Sequence, residues 1–149
     1  EQMNSVRHLA VAADVTEVRG QQYEGDAMDR IPLLAIKRPG QAFQHFPLGE
    51  AQRQIMNQYT ASLAIHDELR LLAVTAPRGN KVFIWDLDST ELRQAAHVPD
   101  CAGVAAVTEG FVVSSGQGRC RLFDCRGERI ASRPLDLPAG LWDNHLRTV

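Results

Sequence analysis

The polar residues that could do chemistry in this 149-residue chain lie in short irregular segments between apolar runs. The densest group is Asp143-Asn144-His145, where a carboxylate beside an imidazole could orient the ring for proton transfer or hold a metal ion. Glu24 could join it as a metal ligand or general base, together with His8. Aspartate and asparagine also simply make turns, and a single histidine is more often structural. The group therefore offers candidate residues but does not define a reaction.

Established catalytic and phosphate-binding patterns are missing from the sequence. It contains no G-x-S-x-G turn, Walker loop, Rossmann glycine pattern or H-E-x-x-H pair. The catalytic residues and any cofactor therefore stay unassigned, and the sequence predicts no metal site.

The three cysteines, Cys101, Cys120 and Cys125, lack the C-x-x-C spacing of structural zinc sites. Cys120 and Cys125 are an odd number of positions apart on a predicted strand, so we expect them on opposite sides of a sheet. The simplest interpretation is three small buried apolar side chains. In an oxidising compartment, a pair such as Cys101 and Cys125 could instead form a disulfide.

The composition is that of an ordinary globular domain, with 44% hydrophobic and 23% charged residues. The formal net charge is −2 and the basic residues are scattered, which argues against nucleic acid or an anionic membrane surface as partner. No apolar run approaches the ~20 residues of a membrane span, so no membrane insertion is expected. The chain has no secretory signal and begins at Glu1 without an initiator methionine. We interpret it as a fragment or a mature form.

The chain repeats itself. Lys81–Asp86 and Arg119–Asp124 read alike 38 residues apart, since each begins with a basic residue and ends in an aliphatic residue, an aromatic residue and an aspartate. Before each segment come an apolar run, a tight polar turn, a second apolar run and a glycine-bearing loop. A unit of roughly 40 residues with four short strands is typical of β-propeller blades. The sequence therefore predicts an all-β, propeller-like fold.

Three such units can be laid out as four-stranded antiparallel blades in a single domain. The predicted blades span residues 6–48, 60–98 and 102–137, and residues 141–149 would begin a further blade or close a ring. The predicted strands are His8–Ala12, Glu17–Tyr23, Leu33–Lys37 and Ala42–Pro47, then Ser62–Ile65, Leu71–Thr75, Lys81–Asp86 and Leu92–His97, then Gly103–Val107, Phe111–Ser115, Arg119–Asp124 and Arg129–Leu135. One short helix is predicted over residues 50–58, where helix formers are dense.

A propeller blade places its loops on two opposite faces, and the unusual segments all sort to one of them. The loops between second and third strands, and between blades, contain the polar, glycine- and aromatic-bearing segments. The other face receives only tight turns. Functional loops on a rigid scaffold cluster at one end. The hypothesis is one ligand-binding face that carries Gln22, Glu24, Arg78, Asp100, Asp143, Asn144 and His145.

Two members of this set have an equally simple structural interpretation. Asp100 lies between Pro99 and Cys101, and its role could simply be to cap a turn. Arg78 lies in Pro-Arg-Gly and could be a solvated loop charge.

Three blades are too few to close a ring, because propellers use about 4–8. An open blade edge exposes surface that readily pairs with another chain. We therefore expect this chain to be part of a longer propeller, or to associate with itself.

The chain resembles the C-terminal part of an uncharacterised bacterial family, domain of unknown function 1513. The resemblance covers nearly the whole chain, and the closing Trp-Asp-Asn-His-Leu motif is its most specific part. It rests on His8-Leu9-Ala10-Val11, Gln22-Tyr23-Glu24-Gly25 followed by Pro32-Leu33, Ala76-Pro77-Arg78-Gly79, Asp100-Cys101-Ala102-Gly103 and Trp142-Asp143-Asn144-His145-Leu146.

This resemblance implies a propeller about twice as long as this chain. It also implies twin-arginine export to the periplasm and a genomic setting with imelysin-like and di-haem proteins of iron acquisition. The family has no assigned activity. Where the family has serine before Pro-Arg-Gly, this chain has Ala76, so no hydroxyl role is expected there. Trp85-Asp86 is similar to the Trp-Asp pair of WD repeats, but the upstream Gly-His pair is missing.

The leading hypothesis is a non-enzymatic binding or scaffold module, exported and associated with iron handling, whose polar face engages a protein partner or a small ligand. The alternative is a metal-dependent, lactonase-like propeller hydrolase using Glu24, Asp143, Asn144 or His145. A third hypothesis is a purely structural fragment. Catalysis predicts His145, Asp143 and a second carboxylate within reach of one another.

Overall fold

The chain folds into three four-stranded antiparallel sheets in the computed structural model, which describes residues 4–26 and 28–136. Within each sheet the strands follow in sequence order. The strands are β1 (Asn4–Val11), β2 (Glu17–Tyr23), β3 (Leu34–Lys37) and β4 (Gln44–His45), then β5 (Ser62–His66), β6 (Leu71–Ala76), β7 (Lys81–Asp86) and β8 (Leu92–His97), then β9 (Cys101–Val107), β10 (Gly110–Ser115), β11 (Cys120–Asp124) and β12 (Ala131–Leu135). Helix α1 spans Glu50–Met56, and a 3₁₀ turn spans Pro77–Gly79.

The three sheets pack side by side as propeller blades. Their first strands adjoin, β1 against β5 and β5 against β9, so these strands lie nearest the common axis. One buried cluster fills the space between the first and second sheets, and another fills the space between the second and third. The predicted all-β, partial-propeller fold with three four-stranded blades and one short helix is thus confirmed.

The second sheet is apolar on both faces because it has a neighbour on each side. Alternate residues of β6 and β7 join opposite clusters, as the period of two in a strand requires. Leu72, Val74, Phe83 and Trp85 pack toward the first sheet, whereas Leu71, Ala73, Val82 and Ile84 pack toward the third. This explains the near-continuous apolar runs that made the repeat visible in the sequence.

Helix α1 ends two residues before the predicted boundary. Asn57 and Gln58 adopt left-handed backbone conformations, with φ of 46° and 63°, which a helix cannot continue. At the other end, the Gln52 side chain accepts the Gly49 N–H at 3.0 Å and satisfies a free donor of the first turn. Met56, fully buried, anchors the helix on the first core cluster.

Most strand boundaries agree with the predicted ones to within one or two residues, and the largest differences fall at the outer and first strands. The fourth strand of the first sheet was predicted over residues 42–47, but the strand itself spans Gln44 and His45, followed by one hydrogen bond from Phe46 to Leu34 of β3. β1 begins four residues earlier than predicted because Asn4 already pairs with Tyr23. The strand predicted within residues 141–149 lies outside the described residues.

The cysteines are buried free thiols, so the alternative of a Cys101–Cys125 disulfide is wrong for this structure. Cys101 pairs with Ser115 at one end of β10, whereas Cys125 lies against Gly110 at the other. Five residues of strand separate the two ends, about 17 Å at ~3.3 Å per residue, far beyond disulfide reach. Burial raises the pKa of the Cys101 and Cys125 thiols to about 11.

Within residues 4–26 and 28–136, the only α-helix is far shorter than the length needed to cross a bilayer, so no membrane-spanning helix is found there.

Candidate functional site

The strand ends of the three sheets form two faces, each held together by its own contacts. We call the end with residues 22–25, 57–59, 77–80, 99–100 and 116 the loop face. The end with residues 13–15, 67–70, 87–90 and 108–109 is the turn face. On each face the segments of neighbouring sheets are hydrogen-bonded to one another. The faces match the two sets of loops that the propeller pattern predicts.

Gln22 is the centre of a polar chain on the loop face. The Arg7 guanidinium donates to Gln22 Oε1 through Nε at 2.7 Å and also through Nη2. Gln22 Nε2 in turn donates to Glu24 Oε1 at 3.1 Å. Gln22 is buried, with 8% of its surface exposed, whereas Arg7 and Glu24 are exposed. A fixed amide thus links an exposed cation to an exposed carboxylate.

A bulge in the first strand brings Arg7 into this chain. The register of β1 against β2 shifts between Val6 and His8, so Arg7 is the extra residue. A bulge re-aims the side chain that it carries. The sequence analysis missed Arg7 because it began the first strand at His8, which left Arg7 outside the predicted sheet, and because nothing in the sequence marks the bulge.

A stacked cation–aromatic pair lies next to the Gln22 chain. The Arg78 guanidinium carbon is 5.3 Å from the centre of the Tyr59 ring, and Arg78 Nη1 donates to the Asn57 carbonyl at 3.0 Å. Tyr59 also forms a bridge with Gln22, so the pair and the polar chain are connected through the backbone. Arg78 is exposed but oriented by both contacts. Arg78 is thus a solvated loop charge, as its structural alternative expected, whose orientation is fixed by these two contacts.

Gly79 allows the 3₁₀ turn to approach helix α1. A Cβ at Gly79 would lie 2.0 Å from the Ile55 carbonyl oxygen and 2.7 Å from Ile55 Cγ2. Real Cβ atoms essentially never come closer than 3.0 Å. Only a glycine fits at position 79 when the turn lies this close to α1. Gly79 therefore allows Arg78 to lie beside the C-terminal end of α1, over Tyr59.

Asp100 belongs to a turn farther along the same face. Its backbone is left-handed, with φ of 52°, and its N–H donates to Asn80 Oδ1 at 2.8 Å. Its carbonyl accepts the Gly116 N–H at 3.0 Å, joining the loops of the second and third sheets. These contacts give Asp100 the turn role that the sequence analysis kept as its structural alternative. Its exposed carboxylate still contributes charge to the loop face.

His8 is tied into the inner strands by the Ser62 hydroxyl. Ser62 Oγ lies 3.4 Å from His8 Nδ1 and accepts the Val104 N–H at 3.2 Å. Ser62 is fully buried, so this serine links three first strands and is not an exposed nucleophile.

The structure therefore joins Gln22, Glu24 and Arg78 into one connected surface, and it places Asp100 at the next junction of the same face. Asp143, Asn144 and His145 lie outside the described residues. In the part of the chain that is described, no group of three or more His, Cys, Asp or Glu side chains is arranged to hold a metal ion.

The turn face, for which the sequence predicts only tight turns, contains an ion network between the first and second sheets. Arg70 donates to Asp14 at 2.9 Å and to Asp88 at 2.7 Å, and Asp67 accepts the Ala13 N–H at 2.7 Å. Hydrogen bonding from Arg70 lowers the pKa of Asp88. The network holds the two blades together at the face opposite the candidate site.

A family comparison decides where the chain belongs. The model of the family described as "Protein of unknown function (DUF1513)" matches residues 1–149. The chain is a member of the DUF1513 family. The resemblance inferred from the sequence motifs is thus confirmed. No curated protein matches this DUF1513 chain.

Solved structures similar to the DUF1513 chain agree with the propeller fold. WD40 repeats of RRP9 match 93% of the chain with a TM-score of 0.67 and 17% identity. Hydrazine synthase of Kuenenia stuttgartiensis matches 91% with a TM-score of 0.67 and 12% identity. Apo AztD of Citrobacter koseri matches 93% with a TM-score of 0.57 and 9% identity. At these identities the likeness concerns the fold alone. The chain covers 39%, 37% and 49% of the three matched chains, respectively.

Proposed function

We propose that the DUF1513 chain is part of a propeller scaffold that binds a protein partner through its loop face. The observation that carries this proposal is the stacked Tyr59–Arg78 pair. Tyrosine and arginine are enriched among the residues that contribute most to protein–protein affinity. They contribute most when little conformational freedom is lost on binding, and both are already positioned here.

The partner's chemistry follows from the groups on the same face. Arg78 and Arg7 are exposed cations, and Glu24 is an exposed carboxylate. The buried Gln22 amide is hydrogen-bonded to both Arg7 and Glu24. A planar guanidinium pairs with a carboxylate through two parallel hydrogen bonds. We therefore expect the partner to present an acidic side chain or a C-terminal carboxylate to Arg78, with a basic group near Glu24.

Site-specific photo-crosslinking in the full-length protein tests the proposal. A benzoylphenylalanine at Glu24, within the predicted interface, is compared with one at Arg126, which lies on a hairpin turn of the opposite face. Arg126 is exposed and bonds only to Asp124 among the described residues. The proposal expects a discrete crosslinked partner from position 24 alone. Equal products from both positions, or products only from 126, would contradict it.

We further propose that the outward face of the first sheet is covered by a second copy when this chain is studied alone. Leu9 and Val11 are 52% and 55% exposed there. Their counterparts on β5, Leu63 and Ile65, are 5% and 9% exposed because the first sheet covers them. The exposed pair thus occupies positions that a neighbouring blade buries elsewhere in the same molecule.

Self-association is tested by light scattering after size exclusion at increasing concentration. The expected result is a dimer for the wild type that Leu9→Lys shifts to monomer. Leu92→Lys, an exposed position on an outer strand, should leave the dimer intact. If the wild type is still a monomer at about 100 μM, this part of the proposal is contradicted, because the dimer would then be weaker than typical specific association.

Export to the periplasm and a role in iron handling are part of the proposal through the family resemblance. Fractionation of cells that express the full-length tagged protein tests the compartment. A periplasmic signal that disappears when the twin-arginine pathway is inactivated is the expected result, and a cytoplasmic signal contradicts it.

A further inference from the structure

A cavity of about 310 Å³ lies at the edge of the first sheet and adjoins the loop face at Tyr23, Asn57 and Gln58. Its walls are helix α1 with the two residues after it, and residues 28–33 ahead of β3. The floor contains the apolar side chains of Ile31 and Leu33 and the ring of Tyr23, of which Leu33 and Tyr23 are buried. Small-molecule sites of folded proteins span about 300–1,000 Å³ and combine an apolar lining with a few polar groups. The cavity therefore suits a compact ligand with an apolar body.

The two carboxylates at the rim already have donors. The Tyr23 hydroxyl donates to the Asp29 carboxylate, which raises the pKa of Tyr23. Gln54 Nε2 donates to Glu50 Oε1 at 3.4 Å. Both carboxylates thus already accept a hydrogen bond from a side chain of the protein, which makes them weaker binding sites for a cationic ligand.

The two guanidinium groups at the rim have no such partner. Among the described residues, no carboxylate lies within 4.0 Å of Arg30 or Arg53, although Glu50 precedes Arg53 by one helical turn. Arg53 Nη2 reaches only the Leu48 carbonyl, at 3.4 Å, and Arg53 Nε is buried without an acceptor. Arg53 is half-buried and has no counter-ion among the described residues, so an anion that entered the cavity would be stabilised beside it and could accept from its unpaired donors.

We propose that this cavity binds a small amphipathic carboxylate. The apolar body of the ligand packs on Ile31, Leu33 and the Tyr23 ring, and its carboxylate pairs with the Arg53 guanidinium. A carboxylate fits better than a point-like anion because its two oxygens match the planar donors of arginine. The site shares Tyr23 with the loop face but uses neither Arg78 nor Tyr59, so its test is separate from that of the proposed protein interface.

Phenylacetate is the probe, and phenylacetamide is its neutral isostere. Binding of both to the wild-type chain is followed by protein-observed NMR, with chemical-shift changes at Tyr23, Ile31 and Leu33. The proposal expects saturable binding of phenylacetate and at least tenfold weaker binding of phenylacetamide, the loss expected for a charge-assisted hydrogen bond.

Two substitutions locate the carboxylate. Arg53→Met keeps the length and helix propensity of the side chain and should weaken phenylacetate binding about tenfold while leaving phenylacetamide unchanged. Arg133→Met, at an exposed position on β12, is the matched control and should bind as the wild type does. If Arg53→Met fails to fold, Arg53→Lys replaces it, and an intermediate affinity is expected because lysine lacks the planar donor pair.

Three results would overturn the proposal. One is no saturable binding of phenylacetate up to about 20 mM, beyond the weakest affinity expected for a ligand of this size. Another is equal affinity for the acid and the amide. The last is undiminished phenylacetate binding by a folded Arg53 variant.

Discussion

Replacement of Gly79 by alanine is expected to destabilise the chain and to displace Arg78 from Tyr59. The added Cβ would meet the Ile55 carbonyl oxygen at 2.0 Å, against a practical limit of 3.0 Å. Because the obstacle is helix backbone and not a flexible side chain, either α1 or the 3₁₀ turn must move. The backbone angle of Gly79 is not in the left-handed region, so the effect is steric and not conformational.

The magnitude follows from the cost of overpacking, about 1–3 kcal/mol for a methyl group forced into a filled site. Alanine also reduces the entropy of the unfolded chain, which offsets about 0.4–1 kcal/mol of that cost. For a domain of this size, a loss of 1 kcal/mol lowers the melting temperature by roughly 2–4 °C. The mid-range net loss is about 1.3 kcal/mol, so we expect Gly79→Ala to melt about 3–5 °C below the wild type, and at most about 10 °C below it.

Thermal unfolding by circular dichroism measures this change, and Gly127→Ala is its control. Gly127 lies on an exposed hairpin turn, and a Cβ added there would lie 3.5 Å from the Arg129 carbonyl oxygen, an ordinary contact. The control should melt at or slightly above the wild-type temperature. If Gly79→Ala and Gly127→Ala have the same melting temperature, the 3₁₀ turn does not approach α1 as closely as described, and the explanation for the position of Arg78 is refuted.

Two further predictions concern ionisable groups away from the loop face. Arg70→Met is expected to lower stability at pH 7 by about 1 kcal/mol or less, because its ion pair with Asp88 is partly exposed. Arg70 lowers the pKa of Asp88, so this stabilisation is present above the usual carboxyl pKa and is lost as the pH falls through the lowered one. Urea unfolding should therefore separate the variant from the wild type at neutral pH but not near pH 2, and an equal difference at both would contradict the network. Cys101 and Cys125 have thiol pKa values of about 11, so iodoacetamide at pH 8 should modify them slowly in the folded chain and fully in urea. Modification of the folded chain at the rate of a free thiol would contradict their burial.

The fold could be predicted from the sequence because its signal is local and repeated. The continuous apolar run from Val82 to Trp85 indicates burial on both faces of the second sheet, and its residues do divide between the two core clusters. The C-terminal end of α1 was harder to predict, because the left-handed conformations of Asn57 and Gln58 depend on the contacts made by their loop. Helix propensity alone extends through both residues.

The candidate site was only partly predictable. The sorting of loops onto two faces placed Gln22, Glu24 and Arg78 on one surface, since it needs only strand order. Arg7 was not predicted because the expected first strand began at His8, whereas β1 begins at Asn4 and has a bulge at Arg7 that no residue type marks. The partnership of Arg70 with Asp14 also escaped, since the two residues are 56 positions apart and meet only when the first two blades pack.

The most direct test of the protein-binding loop face is quantitative recovery of its crosslinked partner by the full-length protein and two arginine variants. Arg78→Ala removes the stacked cation on the loop face, and Arg126→Ala removes an exposed cation on the opposite face. The account predicts that Arg78→Ala recovers at least tenfold less partner while Arg126→Ala matches the wild type, as expected for a central arginine at an interface. Equal recovery by all three proteins would contradict the assignment of the loop face as the binding surface.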